Sequence, residues 1–312
     1  MTMYIIKRLL YTVPTVVGVL LLTFVLFTVI GGDISGSIAG EHASEQTIKE
    51  IRHEYGFDKP LFLSFDSQFV NHVKSAFTFS FGRGIDREPV IDKLKRGLWP
   101  SLALTVPMLL GVTIISLTIA IILALVRGSV WDVTANIICT AGMSIPYLSF
   151  ILFGQYFLSY KWGFFPVYFS PDLPMAQYAA LPVIIGIAAG LGANIRFYRT
   201  VILDEIHCDY VRTAFAKGLG AGSVLFKHVL RNAMIPIITR VLSAMPYLCL
   251  GSVLLEKFFG IPGLGYLVVD AVAHRDYFVI NAVTFISAIL FVVFNLITDI
   301  CYAAADPRIS FE

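Results

Sequence analysis

The chain has 312 residues, 57% of them hydrophobic and 14% charged, with a mean hydropathy of +0.79 and a formal net charge of +2. Soluble domains carry about 25% charged residues, so this composition excludes a soluble domain that covers its own surface. It also excludes disordered, collagen-like and nucleic-acid-binding chains. What remains is a polytopic membrane protein with no strong global field to steer an acidic partner.

A spanning helix needs about 20 apolar residues. Six stretches suggest themselves: Leu9 to Ile30, Ser101 to Val126, Ala135 to Leu158, Tyr178 to Ile195, Ile235 to Leu255 and Phe278 to Ala303. The first follows Lys7-Arg8, is too long for a signal-peptide core and lacks an A-x-A site, so it reads as a retained anchor. The fourth is short, the fifth contains Arg240 and the sixth contains Asp299. Ser144-Ile145-Pro146 is expected to kink the third.

Basic residues in short loops set orientation. With the N-terminus inside, the inner segments hold Lys7, Arg8, Arg127, Arg196, Arg199, Arg212, Lys217, Lys227, Arg231 and Arg308. The short outer loops hold only Lys161, Lys257 and Arg275. The segment 31–100 holds nine more, but loops longer than about 60 residues escape the rule. The expected fold is therefore an all-α polytopic membrane bundle of six transmembrane helices with both termini cytoplasmic. Its parts are an N-terminal transmembrane helix (1–30), a large outer loop (31–100) and a five-helix core (101–312).

Ser44, Ile48, Ile51 and Tyr55 suggest a short amphipathic helix within the outer loop, ended by a turn at Gly56 to Leu61. Residues 159–177 carry Trp162, Phe164, Phe165 and Tyr168, which suit an interfacial loop. The longest inner segment, 196–234, reads as helix, glycine turn, helix. Asp209-Tyr210 opens it, Gly218, Gly220 and Gly222 break it, and Ser223 to Asn232 leads on towards Pro236. Val211, Ala214 and Phe215 share one face, as do Val224, Leu225 and Val229. Small residues at 214, 216, 218 and 220 allow another backbone to approach.

Near the outer end, Pro262-Gly263-Leu264-Gly265 precedes apolar residues at helical spacing and reads as a surface or re-entrant helix. No strand precedes it, which argues against a phosphate cradle. Asn295 and Asp299 share one helix face and read as structural. Arg240 is expected to snorkel inward, and Asn194 and Arg196 to close the fourth span. Catalytic patterns are missing. There is no P-loop and no GxSxG, and His53-Glu54 lacks the second histidine of HExxH. His207 and His228 do not pair with cysteine at zinc spacing, and cysteines 139, 208, 249 and 301 read as reduced thiols.

Asp209-Tyr210-Val211-Arg212-Thr213-Ala214-Phe215-Ala216-Lys217-Gly218-Leu219, followed by Lys227 to Pro236, resembles the EAA loop of ABC-importer permeases. In particular it resembles the B-type subunit of the dipeptide/oligopeptide/nickel branch. The general pattern places glutamate six residues before the glycine, where this chain has Arg212; the peptide branch commonly reads R-T-A-x-A-K-G here. Tyr4 to Leu9 with Pro14-Thr15, Tyr55 to Leu61, Pro89-Val90 and Ser144 to Pro146 extend the resemblance. So do Glu256 with Pro262 to Gly265, Asp270-Ala271, Arg275 to Tyr277, and Asn295, Asp299, Tyr302 and Asp306-Pro307-Arg308.

The resemblance implies the type I ABC-importer permease fold in a bacterial cytoplasmic membrane. It implies a coupling helix seated on an ATPase through Arg212, Thr213, Ala214, Ala216, Lys217, Gly218, His228, Arg231 and Asn232. It further suggests an outer gate or binding-protein contact at Glu256, Pro262, Gly263, Gly265, Asp270, Arg275 and Asp276. The implied partners are a homologous second permease, two ATPase subunits that bind ATP and magnesium, and an extracytoplasmic binding protein. The chain itself carries no cofactor. Di- or oligopeptides are the implied cargo, with glutathione, microcin-like peptides and nickel chelates in the same branch. A self-contained secondary transporter needs paired broken helices and midplane charges in corresponding halves, and neither is visible. A membrane-embedded enzyme needs an intramembrane catalytic cluster, for which only Asp299 and Arg240 are available.

Overall fold

The computed structural model describes residues 2–33, 35–39, 43–62, 64–248 and 252–305, and among these the regular elements are all helices. Asp306-Pro307-Arg308 and Cys249 lie outside the described residues. Helix α1 (Thr2–Phe24) runs into a π-helical turn at Val25–Ile30. Three short helices follow, α2 (Ser35–Ala39), α3 (Glu45–Glu54) and α4 (Gln68–Phe77). Ser44 caps α3 by accepting from the Thr47 N–H, and Ser67 caps α4 by accepting from Val70. Helix α3 is the amphipathic helix expected from its sequence. Helix α4 is an addition to the sequence reading. Its Ala76 packs with Leu20 of α1 and with Phe285 near the C-terminal end of the chain, pinning the outer segment to the bundle.

Helix α5 (Val90–Leu125) starts directly after Pro89, eleven residues before the expected span. Helices α6 (Val130–Ser144) and α7 (Tyr147–Gly154), the latter extended by a π-helical turn at Gln155–Lys161, meet at 92°. The third expected span is thus two helices rather than one kinked helix. Ile145, before proline, is extended at φ −82° and ψ 125°, and Pro146 has no N–H to continue the ladder. Helix α8 (Met175–Ile206) is longer than expected, so Asn194 and Arg196 lie inside it rather than at its end. Then come α9 (Asp209–Ala216), α10 (Ala221–Val224), a π-helical turn at Leu225–Val229 and α11 (Leu230–Leu248). The chain finishes with α12 (Val253–Phe259), α13 (Leu264–Ala273) and α14 (Tyr277–Ala305).

Among the described residues, Thr12–Ile30, Val90–Leu125, Met175–Ile206 and Tyr277–Ile300 are long and apolar enough to cross a membrane, and the bent α6–α7 pair raises the number to as many as five. The remaining expected span corresponds to α11, whose Arg231, Asn232 and Arg240 lower its hydropathy. In each spanning helix no more than 33% of the most apolar stretch is buried within the chain. The rest faces outward, towards lipid or another subunit.

The α5–α8 pair is the most extensive packing in the bundle. A Cβ at Gly186 of α8 would lie 2.2 Å from the Met108 sulfur of α5, so any larger residue there would have to push the Met108 side chain aside. Helix α6 is fastened to α8 by a bidentate ion pair. Arg199 Nε and Nη2 each donate to an Asp132 carboxylate oxygen at 2.7 Å, and the Gly128 N–H adds a bond of 3.0 Å. Asp132 is buried, with 3% of its surface exposed. Removing one partner of a buried pair costs about 3–5 kcal/mol. Asp132→Ala is therefore expected to lower the thermal midpoint of the purified protein. The double variant Asp132→Ala/Arg199→Ala should lose less than the sum of the two single losses. Additive losses would show that the pair carries no coupling.

Candidate functional site

The loop between α8 and α11 has two faces. Its underside is apolar. Val211 and Ala214 of α9, Val224, Leu225 and Val229, and Ala233 and Ile237 of α11 pack on Ala120 and Ala124 of α5 and on Tyr198 and Ile202 of α8. All are at least nine-tenths buried, so the loop is seated on the ends of the two most tightly packed helices. Ala214, with 4% exposure, belongs to this seat. Phe215 does not share its face as the spacing suggests, since 48% of its surface is exposed. The Tyr210 hydroxyl donates to the Glu205 carboxylate and contacts the Asn232 side chain. Burial, reinforced by Glu205, pushes its pKa up to about 12, so it remains a donor that ties α9 to α8.

Helix α9 ends in a Schellman closure. The Gly218 N–H donates to the Phe215 carbonyl at 2.9 Å and the Leu219 N–H to the Ala214 carbonyl at 3.4 Å. Gly218 has φ +79°, a conformation that L side chains resist. The glycine is thus a requirement of the turn itself.

The upper face is open. Arg212, Thr213, Ala216, Lys217, Gly218, Arg231 and Asn232 are exposed there and His228 is half-buried. Phe215, Leu219 and Phe226 add exposed apolar surface, with Phe226 at 63%. The Arg212–Asp209 contact of 3.5 Å is fully at the surface and fixes little. Exposed apolar and basic side chains thus alternate along this stretch. It offers no nucleophile with a base. Among the described residues no group of His, Cys, Asp and Glu is arranged to hold a metal ion, and Cys139 and Cys208 are free thiols.

The residues singled out near the opposite end divide differently. Glu256 is fully buried. Ser101 Oγ of α5 donates to Glu256 Oε1 at 2.8 Å and accepts from the Leu264 N–H at 2.7 Å, while the Tyr266 N–H donates to Glu256 Oε2 at 3.0 Å. One carboxylate therefore joins α5, α12 and the start of α13. A Cβ at Gly263 would lie 2.3 Å from Glu256 Oε2 and one at Gly265 2.7 Å from the Val253 backbone, so both glycines make room for this lock. Asp276, with 5% exposure, accepts from the Val279 N–H at 3.3 Å and the Ile85 N–H at 3.2 Å, and lies 3.5 Å from Lys93. Pro262 and Arg275 are exposed, and Asp270 is half-buried 3.5 Å from His274. Only the last three are placed to meet a partner. A cavity between α5, α8 and α11 was not foreseen; Thr113, Asn194, Arg240 and Ser243 converge there from three helices.

Residues 116–311 match the family described as binding-protein-dependent transport system inner membrane component, and residues 1–87 match its N-terminal companion. The chain belongs to this family. It is the inner-membrane permease of an ABC importer, multi-pass in the bacterial inner membrane and in the peptide/nickel/glutathione branch. Its relatives include the glutathione transport system permease protein GsiC of Shigella flexneri serotype 5b and of Escherichia coli K12. Each is 35% identical over 310 residues, covering 99% of both chains. The same protein of Shigella boydii serotype 4 is 34% identical over 310 residues with the same coverage.

Removing the lock carboxylate leaves buried donors unmet, at about 1–3 kcal/mol each. Glu256→Ala should therefore lower the thermal midpoint markedly, and Glu256→Gln, which keeps acceptor oxygen at the site, much less. Equal losses in the two variants would show that the hydrogen bonds do not matter.

Proposed function

We propose that this permease imports short peptides, glutathione among them, delivered by an extracytoplasmic binding protein. Two separate ATPase subunits, which bind ATP and magnesium, drive it, and a homologous second permease completes the pathway. The observation that carries the cargo reading is the end-to-end match, at 35% identity, to permeases named for glutathione transport. The end of the bundle bearing Arg127, Arg196, Arg199 and the α9–α11 loop faces the cytoplasm in this reading, in keeping with the positive-inside rule.

The exposed ridge along the loop's upper face is the ATPase contact. Arg212, Thr213, Ala216, Lys217 and Gly218 lie on α9 and its turn, and His228, Arg231 and Asn232 on the helix that follows. Ala214 acts from beneath by holding α9 on α5 and α8. When the ATPases close on ATP they displace the ridge, and the apolar seat carries that displacement into the two long helices. The cavity then opens outward, accepts the peptide from its binding protein at the Pro262, Asp270 and Arg275 surface, and returns inward after hydrolysis.

An interface anchor contributes about 2 kcal/mol or more. Phe215→Asp should therefore reduce ATP hydrolysis stimulated by the loaded binding protein, and uptake with it, by more than about tenfold. The two permeases should still co-purify. Full stimulated hydrolysis in this variant would overturn the coupling assignment. The cargo is tested by uptake of labelled glutathione and trialanine into proteoliposomes bearing the complete complex. Import of a nickel chelate with neither peptide taken up would remove the peptide reading.

A further inference from the structure

We infer that Arg240 is a recognition site for a substrate carboxylate within the translocation cavity. The inference rests on the proposed peptide cargo and adds to it a chemical contact. The cavity between α5, α8 and α11 has a volume of about 510 Å³, and Arg240 is the charged residue in its lining. Thr113, Asn194 and Ser243 supply neutral polar groups beside it.

Depth makes the placement informative. Arg240 is ten residues into α11, about 15 Å along the helix from its start. A guanidinium at such depth is costly unless it faces protein or a water-filled path. The Arg240 guanidinium lies over the Phe197 ring, 5.0 Å from the centroid, and Phe197 is itself more than two turns from the end of α8. This cation–π contact positions the exposed charged head beside the cavity without neutralising it.

Among the described residues no carboxylate pairs with Arg240, and none lines the cavity. A cationic cargo would meet an uncompensated like charge, whereas an anionic one meets a counter-charge. The guanidinium fork matches a carboxylate in two parallel hydrogen bonds. Every unmodified peptide carries a C-terminal carboxylate, and glutathione carries two. One such contact favours occupancy while remaining weak enough for release.

The test uses the complete importer in proteoliposomes, with saturating binding protein loaded with glutathione or with trialanine. Capture is then the same in every arm and turnover reports the permease. A charge-assisted hydrogen bond is worth about one order of magnitude in affinity. Arg240→Gln should lower uptake of both peptides by about tenfold while leaving assembly and binding-protein-stimulated ATP hydrolysis intact. Arg240→Lys should recover most of the uptake. Uptake by Arg240→Gln equal to that of the unaltered complex overturns the inference, as does Lys no better than Gln. Loss of the second permease from Arg240→Gln alone also overturns it, because the arginine would then be an intersubunit ion-pair partner. If the unaltered complex imports neither peptide, the cargo reading falls and the carboxylate site with it. If it imports both and Arg240→Gln does too, only the site falls.

Discussion

The proposed coupling depends on one packing feature, the apolar seat beneath the α9–α11 loop. A cytoplasmic motor acts on a transmembrane pathway only if the surface it touches is rigidly joined to the helices that line the path. Here the joint is made of small and branched side chains. Ala214, Val211, Val224 and Val229 meet Ala120, Ala124 and Ile202 with almost no exposed surface. Well-packed interiors transmit displacement because they have little free volume in which to absorb it. The same two helices, α5 and α8, line the cavity on its way across the bilayer. The loop, the seat and the cavity wall are thus successive sections of one mechanical element.

Three uses of charge stand out in the structure. Asp132 with Arg199, and Asp276 with Lys93, fasten helices to each other or to the outer segment. Glu256 organises a turn from inside by satisfying backbone and hydroxyl donors on three elements. The exposed bases of the α9–α11 loop, with Phe215 and Phe226, are assigned to the proposed ATPase contact. Arg240 fits none of these uses. Among the described residues it has no carboxylate partner, which is why its proposed partner is the cargo.

How much of this was legible in the sequence depends on how far apart the participants are. Features coded by adjacent residues were readable. They include the start of α3 after Ser44, a bend at Pro146 and the glycine turn at Gly218, whereas the start of α5 at Val90 lies eleven residues before the span expected from hydropathy. The branch was readable too, because its motif lies in one contiguous stretch. The internal role of Glu256 was not, since its partner Ser101 is 155 residues away. The cavity was not either, because Thr113, Asn194 and Arg240 sit on three separate helices and look like isolated polar residues along the chain. Helix α4 was missed although Phe69, Val73, Ala76 and Phe77 recur at helical spacing behind the Ser67 cap, a signal that was there to be read. The exposure of Phe215 escaped because helical spacing places it at the edge of a face that packing then decides.

The most direct test of the account is a pair of distance measurements by double electron–electron resonance on the assembled importer, with and without trapped ATP. One spin label replaces Lys217 on the ridge and the other replaces Leu125 at the exposed end of α5. A second preparation pairs the label at position 217 with one on the second permease. A rigid seat predicts an unchanged 217-to-125 distance on ATP binding together with a shifted distance between the two permeases. A 217-to-125 distance that changes while the distance between the permeases stays fixed would show the loop sliding on α5 and α8, and would contradict the account.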